Sequence, residues 1–302
     1  MFTLLIATFN EPRTLKKILL RLLSEKLKED CKILVVAPDK NSEKVVSLFP
    51  GVYFLKDKGK GKPAALNFAL PYTSGDILVL TDGDVLPAKG SVQRLVSALR
   101  ENADLGAVTG RPVPVNSRES FWGFTAHFLT NAAHKLRKER SANNRYLECS
   151  GYLYACRRAL FPKIPDDILA EDSFVSQEIY RKGYRIGYVP QSLVFVKFPT
   201  NFSDWIAQKR RSTGGYIQKY IKSKAPKSKP KTLYALKART MRGFWSEIFE
   251  GIRLFFAYPK NLKEVFFILI LYLARLYLWL NIFWHLKIQK HSDIWQRIES
   301  TK

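Results

Sequence analysis

The chain has 302 residues, 46 % of them hydrophobic and 13 % aromatic, with 50 Lys and Arg against 26 Asp and Glu for a formal net charge of +24. The apolar content excludes an intrinsically disordered chain, and three Cys in this length exclude a disulfide-stapled scaffold. The length allows one large domain or two modest ones, and the charge asks for an anionic partner: nucleic acid, an anionic membrane surface or a phosphate-bearing substrate.

Residues 2–8 form an apolar run that Asn-Glu-Pro interrupts, and Pro12 suits the first turn of a helix with Leu15, Ile18, Leu19, Leu22 and Leu23 at helical spacing. KILVVA at 32–37, residues 52–55 and DILVLT at 76–81 read as buried strands, with a helix over 64–70 between the last two. A helix over 91–100 and a strand over 105–109 follow. Apolar strands alternating with amphipathic helices predict βαβ units and a mainly parallel sheet. The MFTLLIATFNEP start lacks the basic region and cleavage site of a signal peptide, and with unpaired-looking Cys31, Cys149 and Cys156 this predicts a cytoplasm-facing soluble part.

Past Pro114 the pattern changes. A long aromatic-rich helix is expected over 121–140, a helix over 171–182, strands over 185–189 and 193–198, and a helix over 202–222. From Trp205 to Ser246 there is no Asp or Glu, and twelve Lys and Arg are interleaved with aromatic residues. KSKAPKSKPK at 222–231 reads as a basic loop, and 244–258 as an aromatic amphipathic helix suited to a membrane interface. The next apolar run is VFFILILYLARLYLWLNIFW at 265–284. At a helical rise of about 1.5 Å per residue it is long enough to span about 30 Å of hydrocarbon. Arg275 and Asn281 interrupt it, so a spanning helix, a surface-lying helix and a buried core helix all stay open, and basic flanks on both sides leave its orientation open. The expected organisation is a catalytic domain over 1–200, interfacial helices and a basic linker over 201–260, and a membrane helix and tail over 261–302.

Several residues can carry chemistry. Asp82 and Asp84 in TDGDV follow a buried strand, at the edge where open α/β sheets bind ligands, and two such carboxylates can hold a hard divalent cation. Asp39 after the second strand can accept hydrogen bonds from a nucleobase edge or a ribose, or can cap a helix. Lys62 in KGKGKPAALN can meet phosphates at a helix start, although the loop is not a Walker motif. Glu171 and Asp172 open a helix, where they either favour its positive end or supply a general base. Arg211 in QKRRS can bind a diphosphate.

ATFNE, VVAPD, GKPAALN, TDGD, CSGYLYACRR, AED and QKRR occur in the order and approximate spacing of the family 2 glycosyltransferases. The chain resembles that family over about residues 2–212, and most of all its membrane-associated, cellulose-synthase-like branch. The resemblance implies a GT-A nucleotide-sugar fold and an inverting mechanism dependent on Mn²⁺ or Mg²⁺. By the same resemblance Thr8, Asn10 and Glu11 line the nucleotide and Asp39 contacts its base. Asp82 lies near ribose and metal, Asp84 ligates the metal, and Asp172 is the general base. Gln208 and Arg211 belong to a Gln-x-x-Arg-Trp element closing over the diphosphate. Ser212 replaces that Trp here, which together with a single apolar run argues against a processive synthase. The implied partners are a nucleotide sugar, a lipid-linked glycan acceptor of dolichol or polyprenol type and the cell membrane, with no nucleic acid. A likeness to archaeal enzymes of lipid-linked glycans makes GDP-mannose the preferred donor. UDP-sugars, a polyprenyl-phosphate acceptor and, remotely, a non-catalytic basic protein binding membrane or nucleic acid are the alternatives.

Overall fold

The computed structural model describes residues 1–25, 30–223, 257–288 and 299–301. The expected basic loop at 222–231 and aromatic helix at 244–258 lie, except for their outermost residues, outside that range.

The first half winds as the alternation predicts. Strands β1 (Phe2–Ala7), β2 (Cys31–Ala37), β3 (Val52–Lys56) and β4 (Ile77–Asp82) are joined by helices α1 (Pro12–Leu23), α2 (Lys40–Val46) and α3 (Lys62–Ala69). These strands are parallel, with Leu4 opposite Ile33 of β2 and Val79 of β4. Further along come β5 (Val85–Pro87), α4 (Ser91–Glu101), β6 (Leu105–Pro114), α5 (Phe121–Ala142), β7 (Leu153–Arg157), α6 (Glu171–Arg181), β8 (Arg185–Val196), α7 (Phe202–Ser223) and α8 (Leu262–Ile288). The sheet runs β3-β2-β1-β4-β7-β6-β8-β5. Here β7 is antiparallel to both β4 and β6, β6 and β8 are parallel, and β5 closes the edge antiparallel to β8.

The period of two sorts the strand residues onto two cores. Leu4, Ile6, Ile33, Val35, Ile77 and Val79 face α1 and α4, through Ile18, Leu19, Leu95 and Leu99. Leu5, Leu34, Val36, Leu78 and Leu80 face the other way, onto Leu66 of α3 and Val175 and Ile179 of α6. Both layers being covered explains why these strands are apolar throughout rather than alternating.

Three local differences from the sequence reading have physical causes. The strands expected over 185–189 and 193–198 are one strand, β8. Its pairing with β6 shifts between Thr109 and Arg111, where the partner jumps from Tyr188 to Leu193, and this accommodates the segment containing Pro190. Strand β6 continues to Pro114 because β8 offers it a partner beyond the expected end. Strand β5 is three residues long and has no periodicity to read.

A third cluster holds α8 against the domain. Ile268, Leu271, Ala274 and Leu278 pack with Phe124 and Phe128 of α5 and Trp205 of α7. Arg118 clamps the start of α8 through a two-pronged ion pair to Glu264, at 2.8 and 2.9 Å.

Candidate active site

The carboxyl ends of β1 and β4 and the first turns of α3 and α6 converge on a cavity of about 770 Å³. Its walls carry Thr8 just past β1, Glu11 at the start of α1, Asp82 at the end of β4 and Asp84 just past it, and Lys62, Glu171 and Asp172; α7 adds Gln208 and Arg211. This is the strand-end crevice where open α/β sheets place ligands.

The TDGD turn needs its glycine. The Gly83 N–H donates to the Ala7 carbonyl at 2.9 Å, and a Cβ on Gly83 would collide with Oγ1 and Cβ of Thr8. Only without a side chain can the end of β4 lie against the end of β1, and that contact puts Thr8 and both carboxylates in one wall. Thr8 Oγ1 and Gln208 Oε1 are buried with no hydrogen-bond partner among the described residues, which marks the cavity as a place where polar ligand groups are wanted.

Lys62 organises the acids. Gly61, with a φ of 95°, turns the chain into α3. The Lys62 ammonium then stands 2.5 Å from Asp82 Oδ1 and 2.6 Å from Glu171 Oε1. Burial works against its charge, but the two carboxylates more than reverse that and hold it protonated. Sequence reasoning saw Lys62 as a phosphate contact; in the structure it bridges the β4 acids to the α6 acids.

The neighbouring acids Glu171 and Asp172 diverge. Burial pushes Glu171 upward, but the charge and hydrogen bond of Lys62 outweigh it and leave the group below its ordinary range. Burial and then the Glu171 charge push Asp172 up to about 6, against Lys62 and two backbone donors. Those donors are Gly151 N–H to Oδ2 at 2.7 Å and Ser173 N–H to Oδ1 at 2.8 Å. The two adjacent acids are thus set apart, Glu171 held toward its charged form and Asp172 pushed the other way, the kind of separation that lets neighbouring carboxyl groups take different roles. Asp82 is likewise pushed up to about 6, by burial first and then by Asp84 and Glu171, with Lys62 opposing. Asp84 is raised by burial, with Lys62 and Arg211 opposing.

Asp82 and Asp84 offer hard oxygens one residue apart, and burial makes their charges costly until a cation answers them. Among the described residues no group of three or more His, Cys, Asp or Glu is arranged to hold a metal. The donor set fits a cation that takes its remaining ligands from substrate phosphates, as Mg²⁺ and similar ions do, rather than one in an all-protein cage.

Asp39 and Asn10 sit beside this wall. Asp39 caps α2, accepting from Ser42 N–H at 2.8 Å and Ser42 Oγ at 3.0 Å, and also from Asn10 N–H at 2.8 Å. Asn10 has a φ of 54°, a left-handed conformation that Asn tolerates. Its side-chain oxygen accepts from Asn41. Of this corner, Pro38 reaches the cavity wall.

Sequence reasoning assigned no role to three other wall residues. Tyr152 stands within the CSGYLYACRR motif, its phenol raised by burial and then by Asp84. Arg137 of α5 donates Nε–H to the Glu148 carbonyl at 3.2 Å. Arg275 comes from the apolar helix α8, and only tertiary packing brings it to the cavity.

A sequence profile of the glycosyl transferase family group 2 matches residues 77–296. A probable glycosyltransferase, YdaM, of Bacillus subtilis is 25 % identical over 70 % of this chain and 54 % of its own length. The poly-beta-1,6-N-acetyl-D-glucosamine synthase of Staphylococcus aureus is 22 % identical over 71 % of this chain and 54 % of its own. The chain thus spans about half the length of these curated relatives. Among solved structures, the mannosyltransferase PcManGT of Pyrobaculum calidifontis, in complex with GDP-Man and Mn²⁺, covers 96 % of this chain and 84 % of its own at a TM-score of 0.61 and 21 % identity. Staphylococcus aureus TarS covers 87 % and 77 % at a TM-score of 0.53 and 16 % identity. These likenesses give the fold as GT-A.

Proposed function

Since the chain belongs to the glycosyl transferase family group 2, we propose that it is an inverting, metal-dependent, non-processive transferase that moves mannose from GDP-mannose to a lipid-linked glycan at a membrane surface. The observation that carries this reading is the cavity in which Lys62 ties the β4 acids to the α6 acids beneath the basic helix α7. The GDP-Man and Mn²⁺ bound by the PcManGT neighbour support the donor and the cation.

In this reading Thr8, Asn10, Glu11 and Asp39 border the nucleotide, Asp39 toward its base. Asp82 and Asp84 would hold the divalent cation, Mn²⁺ or Mg²⁺, which supplies positive charge to the departing diphosphate. Gln208 and Arg211 bind that diphosphate from α7, and Lys62 keeps Glu171 ionised and opposes the rise of Asp82 beside it. Asp172 takes the proton from an acceptor hydroxyl as that oxygen bonds to the sugar's anomeric carbon. The bond from that carbon to the diphosphate breaks on the opposite face, so one displacement inverts the centre.

Helix α8 is long and apolar enough to cross a membrane, with a mean hydropathy of 1.6 over Leu262–Asn281. Its contacts with α5 and α7 favour a helix lying in the membrane surface with the catalytic domain against it. A UDP-sugar donor is the second reading, favoured by the N-acetylglucosamine polymer synthases among the relatives. Ser212 in the place of the family's Trp speaks for single transfer in either case.

A donor panel on the full chain in detergent tests this. GDP should be released from GDP-mannose in the presence of Mn²⁺ and a lipid-linked acceptor, and release should stop with chelator. UDP release from a UDP-sugar would move the assignment to the second reading, and release of neither nucleotide would sink both.

A further inference from the structure

At its β2–β3 corner the cavity wall carries the acid Asp57, beside Pro38 and Gly59. Asp57 follows β3, and its N–H donates to the Ala37 carbonyl at 3.2 Å, which carries the ladder with β2 one residue past the strand. Its Oδ1 accepts from the Gly59 N–H at 3.1 Å. Among the described residues the carboxylate has that one hydrogen bond and no ion pair. Asp39, in the same corner, is otherwise committed: its oxygens accept from Ser42 and Asn10 and cap α2.

A carboxylate repels phosphates, so in a cavity that takes a diphosphate it is useful only away from them, facing donors. The topology provides that distance. Asp82 ends β4 and Asp57 follows β3, with β1 and β2 between the two strands. Three interstrand spacings are about 14 Å, room for a nucleoside whose diphosphate lies at Asp82, Asp84 and Arg211. On the intervening strand ends, Phe9 past β1, 56 % exposed, and Pro38 past β2 line the wall and offer apolar faces to a planar base. Burial and then the Asp39 charge raise the Asp57 carboxyl, with the Gly59 N–H opposing, so a further N–H donor would be favourable there.

We propose that Asp57 reads the base of the donor nucleotide, accepting from the N1–H and the 2-amino group of guanine. This deepens the reading above, on which it rests, by naming the residue that selects the nucleotide. The two guanine donors lie side by side on one edge and match the two oxygens of a carboxylate, which has lone pairs to spare beside the Gly59 N–H. Uracil presents a single N–H between two carbonyl oxygens, which a carboxylate repels. Asp39 then borders the base by holding Asn10 and α2 in place, while Asp57 supplies the specificity.

The test is calorimetric titration of the full chain in detergent with GDP, inosine diphosphate and UDP, each with Mn²⁺. Inosine diphosphate is GDP without the 2-amino group. The wild type should bind GDP at least about tenfold more tightly than either of the others, the scale of a hydrogen bond to a charged group. Asp57→Asn keeps the size and the Gly59 contact but presents one acceptor and one donor. GDP affinity should fall by about tenfold or more and its advantage over inosine diphosphate should vanish, while UDP binding holds or tightens. Three outcomes overturn the proposal. One is a wild type that binds GDP no more tightly than inosine diphosphate or UDP. Another is a GDP preference that Asp57→Asn leaves intact. The third is an equal loss of all three nucleotides, which would make Asp57 a support of the loop. If the Asn variant does not fold, Asp57→Ser, able to keep the Gly59 bond, is read by the same ratio of GDP to inosine diphosphate. Donor turnover by a chain whose base preference ignores Asp57 would remove this assignment and leave the activity standing. Absence of nucleotide release from every donor in the panel would remove the activity itself.

Discussion

Glu171 and Asp172 are adjacent on α6, yet Lys62 pairs with one and not the other, and this sets their chemistry apart. Asp172 is raised from its ordinary 3.8 to about 6. Between those values the folded chain holds a proton that the unfolded chain has released, and the basic form fills only as pH rises through about 6. Transfer should therefore climb with pH through about 6 and then level off, as a pH profile of kcat will show. Asp172→Asn should lower transfer by about 10²–10⁴ while nucleotide titration shows donor binding retained. Loss of both together would mean that Asp172 serves the donor. Glu171→Gln removes the charge that helps raise Asp172, so the acid limb of the profile should move to lower pH. At Gly83 the side chain itself is the obstacle. An added Cβ would meet both Oγ1 and Cβ of Thr8 far inside contact distance. Gly83→Ala should therefore cost about 1–3 kcal/mol in thermal unfolding and displace both carboxylates. Thr8→Ala should not rescue it, because the contact with Cβ remains.

The elements that were readable in the sequence are those whose burial is set locally. Strands β1, β2 and β4 are apolar on both faces, and α1 and α4 carry their core residues at helical spacing, so runs and periods located them. The place of these acids on the cavity was readable for a similar reason: TDGD and AED fall at a strand end and a helix start, where open α/β sheets form their ligand crevice. What was not readable depends on partners distant in the chain. The insertion of β7 between β4 and β6, the length of β8 and the bridging role of Lys62 are settled by contacts across the fold. The same holds for α8. Its hydrophobicity all round reads as a membrane segment, and only the structure divides it into a face on Phe124, Phe128 and Trp205 and a face left open. The two faces should respond differently to substitution. Leu271→Ala, in the buried face, should destabilise the chain by about 2–5 kcal/mol through cavity formation. Leu273 is 69 % exposed. Its replacement by Ala should leave the melting temperature in detergent within the scatter of surface substitutions.

For the molecule as a whole, the proposal to test is that a chain of charge +24 meets a bilayer through α8. Buried contacts along α8 run from Ile268 to Leu278, with the Arg118–Glu264 pair fixing its start. At the helical rise that is about 15 Å of axis. A helix held lengthwise against α5 and α7 could cross the hydrocarbon only by drawing those helices, and the cavity they line, in with it. In the proposed reading it lies in the interface, where Phe266, Leu269, Leu273, Leu276 and Leu280 would enter acyl chains while basic residues would meet anionic headgroups. Truncation before Leu262 is a poor test, because it would also uncover Phe124, Phe128 and Trp205. A better one replaces Leu273, Leu276 and Leu280 together by Ser, all of them exposed and outside the packed face. Each buried Leu is worth about 1.5–3 kcal/mol in transfer, so binding to vesicles containing anionic lipid should weaken by about a hundredfold or more in a sedimentation titration. The melting temperature in detergent should stay unchanged. Salt at about 1 M, where the screening length falls to about 3 Å, should weaken wild-type binding without abolishing it, since the apolar stripe is not screened. Vesicle binding by the triple variant as tight as that of the wild type would show that the membrane is met by some other surface.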